Sequence, residues 1–256
     1  MEKRVYHLAL KKNDLAGARI ALIPGDPWRC GVLASVFRVQ KELAFHREFR
    51  SFWVQDEGEP ALIVSSGIGG SSLSIAVEEL AQLGVQFFLR LGTCGAIQEH
   101  IAPGELIISE GAVRMDGASL HYAPLAYPAC ANWGMVKLLR EACLKLGYRF
   151  HTGITCSSAT FYPGQERYDT YSGYVIRALQ GSLEEWKRLG VLNYEMETAT
   201  LFTMCRVLGL QAGAVCGVLV NRNSTEEVDS SLVEKVELKL ALVGKEVVNA
   251  LSGWPD

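Results

Sequence analysis

This sequence is short of the features that would place it at once in several large classes. Its seven cysteines (Cys30, Cys94, Cys130, Cys143, Cys156, Cys205, Cys216) contain no Cys-x-x-Cys pair, and their odd number gives no complete disulfide framework. Most stand in apolar surroundings, where a thiol packs as a small hydrophobe, so a reducing, cytoplasmic location is expected. The five histidines show no His-x-x-x-His spacing, which leaves a zinc site without support. No apolar run approaches the length of a membrane span, and Met1-Glu2-Lys3-Arg4 does not open an apolar signal segment. A basic excess is missing too: the formal charge is -3, against a nucleic-acid scaffold, so neither nucleic acid nor membrane is an expected partner. With no linker and no internal repeat, residues 1–256 are expected to form a single domain.

What is present is ample apolar material. At 49% hydrophobic over 256 residues, the chain can bury a full core. Short apolar runs predict strands at 19–23, 61–65, 87–91, 105–109, 153–156 and 212–220, several apolar enough to be covered on both faces. Helices are predicted at 28–37, 72–83, 133–146 and 194–208, with Gly84, Gly147 and Gly209 as stops for three of them. A last helix at 230–251 carries Leu232, Val236, Leu240, Val243, Val247 and Leu251 at core spacing. The alternation predicts an α/β protein: a three-layer sandwich with a central mixed β-sheet flanked by helices.

Chemistry concentrates in the loops after strands, where open α/β sheets bind ligands. In Phe161-Tyr162-Pro163-Gly164-Gln165-Glu166-Arg167, an amide and a guanidinium stand two residues apart beside an aromatic. On an extended backbone they would share one side. Gln165 donates and accepts while Arg167 only donates, a set that matches the edge of an imide such as uracil, with Phe161 as a packing face. Gly25 and Arg29 lie where a strand turns into a helix, and Arg90 precedes Gly92-Thr93. Helix-start amides plus guanidiniums make an oxyanion cradle, although Gly-Asp-Pro can equally be a plain turn and Arg29 a solvated helix residue. The glycines of Gly67-Ile68-Gly69-Gly70 fit a tight strand-to-helix turn as well as a ligand contact. Glu195 can serve a helix dipole, while Glu197 beside Met196 suits a carboxylate accepting ribose hydroxyl protons. His46-Arg47-Glu48 reads as a charge cluster and His7 as an isolated histidine.

These loops resemble the bacterial uridine phosphorylases, a branch of the nucleoside phosphorylase superfamily. The resemblance runs from about His7 to about Asn223 and is densest in Phe161–Gly173, Asn193-Tyr194-Glu195-Met196-Glu197 and Asp116-Gly117-Ala118-Ser119-Leu120-His121. Ser66-Gly67-Ile68-Gly69 through Ile75 to Glu79-Leu80 is similar to the superfamily signature, with Ser71 where the family usually has Pro or Ala. Loop 224–229 lies outside the resemblance.

The resemblance implies a pentosyltransferase that converts uridine and phosphate into uracil and ribose 1-phosphate, with phosphate as co-substrate and no required cofactor. It implies a phosphate site of Gly25, Arg29, Arg90 and Thr93, with Arg47 from a neighbouring subunit. Ribose would meet Thr93, Met196 and Glu197, and the neighbour's copy of His7. Uracil would meet Phe161, Gln165, Arg167, Leu219 and Val220, with Arg222 ordering the surrounding loop. Catalysis would rest on Arg29, Arg90, Gln165, Arg167 and Glu197. Glu48, Ile68 (through its carbonyl) and Ser72 would hold a K+ ion at a dimer interface within a homohexamer, a trimer of dimers. Two rivals stand beside this reading: a hydrolase using water on the same scaffold, and a silent nucleoside-binding protein. The clustered arginines disfavour the first, because water needs no anion cradle.

Overall fold

A computed structural model describes residues 4–251 of the protein; Met1–Lys3, part of the N-terminal stretch read above, and residues 252–256 lie outside the described residues. In chain order the elements are β1 (Ile20–Ile23), α1 (Pro27–Ala34), β2 (Val39–His46), β3 (Phe49–Gln55), β4 (Ala61–Val64), α2 (Gly70–Leu83), β5 (Phe87–Ala96) and β6 (Leu106–Met115). They continue with β7 (Ala129–Cys130), α3 (Trp133–Lys145), β8 (Phe150–Ser158), α4 (Ser182–Arg188), β9 (Val191–Glu195), α5 (Thr198–Val207), β10 (Gln211–Asn221) and α6 (Ser230–Leu251).

The sheet is mixed. β1 pairs in parallel with β4 and β5, β10 with β5, and β8 with both β6 and β9. Antiparallel pairs join β2 to β3, β3 to β4, β6 to β10, β6 to β7 and β9 to β5. Because β10 pairs with both β5 and β6, the strands β10, β6, β8, β9 and β5 close into a barrel-like ring, from which β1, β4, β3 and β2 extend. One helical group, α1, α3 and α6, packs together; a second, α2 and α5, covers other parts of the sheet. The expected sandwich thus has a central layer that curls shut at one end.

Burial explains which elements the sequence revealed. β1 and β4 are fully buried, so they read as unbroken apolar runs. β2 is largely exposed and carries Gln40, Lys41 and Glu42, the composition of a protected sheet edge, and it gave no apolar signal. The predicted helix at 194–208 begins too early: residues 191–195 form β9, and α5 starts only at Thr198. Strand β5 also runs five residues past the predicted Leu91, to Ala96. Gly84, Gly147 and Gly209 follow their helices at positive φ, where a side chain would be strained.

The carboxyl ends of β1 and β4 point the same way, and their following loops lie side by side: Ser66 N–H donates to Pro24 O (2.9 Å) and Gly67 N–H to Gly25 O (3.0 Å). Beside them β5 runs on to Ala96, which brings Arg90 and Thr93 to the same end of the sheet.

Candidate active site

A cavity of about 650 Å³ opens at these strand ends. At one end, Asp26 caps α1 by accepting from Trp28 N–H (2.8 Å), Pro27 begins the helix, and Arg29 reaches the cavity wall with Gly25. Arg29 Nε donates to Glu237 Oε1 on α6 (2.9 Å). Arg90 is 4% exposed and lies inside β5 rather than at its end. Its Nε donates to Glu195 Oε2 (2.9 Å), and its Nη2 pairs with Glu197 Oε2. Gly92 makes room for it, since a Cβ there would stand 2.9 Å from Arg90 Nη2. Burial alone would lower the guanidinium pKa, but Glu197 and Glu195 outweigh it and raise it further. Arg90 Nη1 is buried and has no hydrogen-bond partner among the described residues.

The middle of the cavity holds Thr93, Met196 and Glu197. Glu197 Oε1 accepts from Gly69 N–H, while Oε2 takes Arg90. Burial pushes the Glu197 carboxyl above the ordinary carboxylate range; Arg90 opposes this and Glu195 adds to it. Gly69 therefore acts through its amide, in a conformation (φ 89, ψ 160) open essentially to glycine alone. The dipole reading of Glu195 is incomplete. Its carboxylate accepts from the Glu197 and Thr198 amides at the start of α5, takes the Ser157 hydroxyl and fixes Arg90, all from a fully sequestered position.

Phe161, Gln165, Arg167, Leu219 and Val220 line the cavity as well. They mark its far end, towards the finish of β5, where Arg222 N–H donates to Ala96 O (2.9 Å), six residues beyond Arg90. The extended backbone expected at Gln165 and Arg167 is not there: Pro163–Gln165 form a 3-10 turn, and Glu166 takes a left-handed conformation (φ 52). That reversal still turns both side chains inward, and they are 3% and 7% exposed. The Arg167 guanidinium carbon lies 4.2 Å from the Phe161 ring centroid, and Phe161 itself is half exposed. Burial lowers the Arg167 pKa. Arg222 does not line this cavity; it lines a smaller neighbouring one of about 400 Å³ and donates through Nη1 to Gln165 O (2.8 Å). Burial and the nearby Arg167 lower its pKa to about 10, against the opposing pull of Tyr194, Glu166 and Asp169; its Nε donates to Glu226 Oε1 (2.8 Å). The same carboxylate also pairs with Arg167 Nη1.

His7 and Arg47 do not reach the cavity of their own chain. His7 Nδ1 pairs with Glu79 (2.7 Å), and Arg47, exposed in the β2–β3 turn, lies against Tyr6. Glu48, Ile68 and Ser72 border the cavity mouth, where the Ser72 hydroxyl donates to Glu48 Oε1 (2.9 Å). Sequence reasoning left Glu226 and Glu237 without a role. Glu226 stands four residues after Arg222, a spacing that signals a pair only where the chain is helical, and Glu237 is one acid among several on α6. The cysteines add no reactive group here: burial pushes the Cys94 thiol, at the cavity wall, well above its ordinary range.

A family model described as the phosphorylase superfamily matches residues 19–251, through loop 224–229 and α6, past the Asn223 where the sequence resemblance stops. The chain is 53% identical to the uridine phosphorylase of Escherichia coli (strain K12), over 91% of this chain and 92% of that one. It is 41% identical to the uridine phosphorylase of Thermococcus kodakarensis, over 98% and 88% of the two chains. A guanosine phosphorylase of Halorubrum lacusprofundi is 32% identical over 96% and 97%.

Proposed function

The chain belongs to the phosphorylase superfamily, and from that premise we propose that it is a uridine phosphorylase, a pentosyltransferase catalysing uridine + phosphate ⇌ uracil + ribose 1-phosphate. The observation that carries the reading is one cavity lined by Arg29, Arg90, Glu197, Gln165 and Arg167 together.

Inorganic phosphate carries a charge of about -1.5 at neutral pH. Arg29, Arg90 and the Gly25 turn hold it, with Arg47 of a neighbouring subunit as the third guanidinium and Thr93 shared with the sugar. Their main effect is orientation: a phosphate oxygen is held in line with C1′, on the face opposite the base. Glu197 accepts from the ribose hydroxyls over Met196, and His7 of the neighbour approaches the 5′-hydroxyl. As the glycosidic bond stretches, positive charge grows on the sugar and negative charge on uracil. Gln165 and Arg167 donate to that shed charge, so their bonds strengthen towards the transition state. Phosphate oxygen then bonds C1′, the glycosidic pair leaves with uracil, and a proton from solvent completes it.

Cytosine would turn an amino donor towards Arg167, a mismatch a buried site rejects strongly. Purine-specific members of the superfamily carry an acid after the last sheet strand. Here that region reads Val220-Asn221-Arg222, with no acid, and the Asn221 side-chain amide is committed to Gln98 O (2.8 Å) and Ile101 O (2.7 Å). Residues 1–256 act as one domain, in the cytoplasm, as a homohexamer of three dimers with sites completed across each dimer. A K+ ion fits the hard oxygens of Glu48, Ser72 and the Ile68 carbonyl, and would neutralise Glu48 at that interface; it takes no part in the chemistry.

The test is a product assay with uridine, thymidine, cytidine and inosine, each with and without phosphate. Uracil with stoichiometric ribose 1-phosphate, only when phosphate is present, is expected from uridine. Undiminished uracil release without phosphate would make the protein a hydrolase. Faster turnover of inosine would place the Glu226 carboxyl, at the base end, in a purine-protonating role.

A further inference from the structure

Arg29 presents a problem of order. It is the third residue of α1, at the cavity wall, and a free arginine side chain there would sample many rotamers before meeting an anion. One contact removes that freedom: Nε donates to Glu237 Oε1 at 2.9 Å, with the two side chains only 11% and 16% exposed. A charge-assisted bond in so dry a setting is short and directional. Glu237 is itself held firmly. The preceding Val236 is buried against β10, where Gly217 leaves it room: a Cβ on Gly217 would meet Val236 Cγ1 at 2.1 Å. Leu240, Val243 and Val247 continue the same buried stripe.

The choice of nitrogen matters. Glu237 takes the Nε side of the guanidinium, and the terminal Nη1 and Nη2 have no hydrogen-bond partner among the described residues. The carboxylate thus restrains the group through Nε and leaves its two terminal nitrogens for another acceptor.

We propose that Glu237 is a positioning residue for the oxyanion end of the cavity, acting through Arg29 to orient the guanidinium for phosphate. The proposal rests on the phosphorolytic reading above. If the unaltered protein showed no phosphate-dependent cleavage, that reading would fall first; if it cleaves normally, the variants below judge Glu237 alone.

Steady-state kinetics should be measured with both substrates varied. Glu237→Leu keeps bulk but removes the acceptor, and is expected to raise the KM for phosphate about ten-fold. Its kcat at saturating phosphate and its KM for uridine should stay within about two-fold. Glu237→Gln keeps an amide oxygen for Nε–H and should recover most of the loss. In an Arg29→Ala background, Glu237→Leu should add nothing to the phosphate KM. The idea fails if the leucine variant keeps the parental phosphate KM. It also fails if both KM values rise together, or if the two substitutions are additive. Should the leucine variant fold poorly, Glu237→Met, which also lacks an acceptor, takes its place.

Discussion

The two ends of the cavity use the same pair of chemical groups, guanidinium and carboxylate, and anchor them differently. At one end Arg90 and Arg29 are held by Glu195, Glu197 and Glu237, which sit on or at the start of regular elements. At the other, Arg167 and Arg222 share Glu226, which belongs to loop 222–229 between β10 and α6. The nitrogens differ as well. Among the described residues, Glu237 meets Arg29 only at Nε, whereas Glu226 takes Arg167 Nη1 and the buried Arg167 Nε has no partner. The arginines of the first end are therefore anchored by regular elements, while at the second a loop carboxylate shares Arg167; on the proposed reading, a uracil carbonyl has to replace it.

The sharpest test of that contrast is stability. Arg90→Ala strands two buried carboxylates and should cost about 3–5 kcal/mol. Arg167→Ala lets Glu226, which is partly exposed, swing into water, and should cost at most about 1 kcal/mol. Urea unfolding of both variants reads the difference, and equal losses would abolish the distinction.

Next in size is catalysis at the base end. On the proposed reading, Gln165→Ala removes a donor to the departing base and should lower kcat by two to three decades, about 3–4 kcal/mol, while the unfolding midpoint moves little. A rise in the uridine KM with kcat unchanged would mean that Gln165 binds ground state and transition state equally.

Glu197 supplies a smaller effect with a definite pH dependence. Its carboxyl pKa is raised in the folded protein, mainly by burial, so the ionised form carries a stability penalty at neutral pH. The penalty is complete above the folded pKa and is relieved as pH falls towards the unfolded value. Glu197→Gln should thus lose activity yet melt at or above the parent at pH 8, with the advantage shrinking in acid. Thermal melts across pH measure this, and a variant less stable at pH 8 would reverse the sign.

The smallest effect concerns Glu226. Glu226→Ala removes the competitor for Arg167 and should lower the KM for uridine about three-fold, leaving the phosphate KM alone. A raised uridine KM would turn Glu226 from competitor into ligand contact.

Sequence and structure agree where one residue type can do only one thing. The fully buried runs of β1 and β4 and the apolar stripe of α6 read directly from composition and spacing. The loops read through their residue types: Gly25, Arg29, Arg90, Thr93, Met196, Glu197, Phe161, Gln165 and Arg167 all border one cavity. What spacing hid was three-dimensional. The left-handed Glu166, not an extended strand, aims Gln165 and Arg167 inward. The edge strand β2 has no apolar face to betray it. Glu237 meets Arg29 across 208 positions of sequence, a separation at which an acid on a helix looks like any other.

The division of labour between the two ends is tested most directly by crossed binding measurements, with phosphate and uracil each titrated calorimetrically into Arg29→Ala and Arg167→Ala. Arg29→Ala should weaken phosphate at least ten-fold, roughly 1.4 kcal/mol, and leave uracil unchanged; Arg167→Ala should do the reverse. If either variant weakened both ligands equally, the cavity would not have the two chemically separate ends described above.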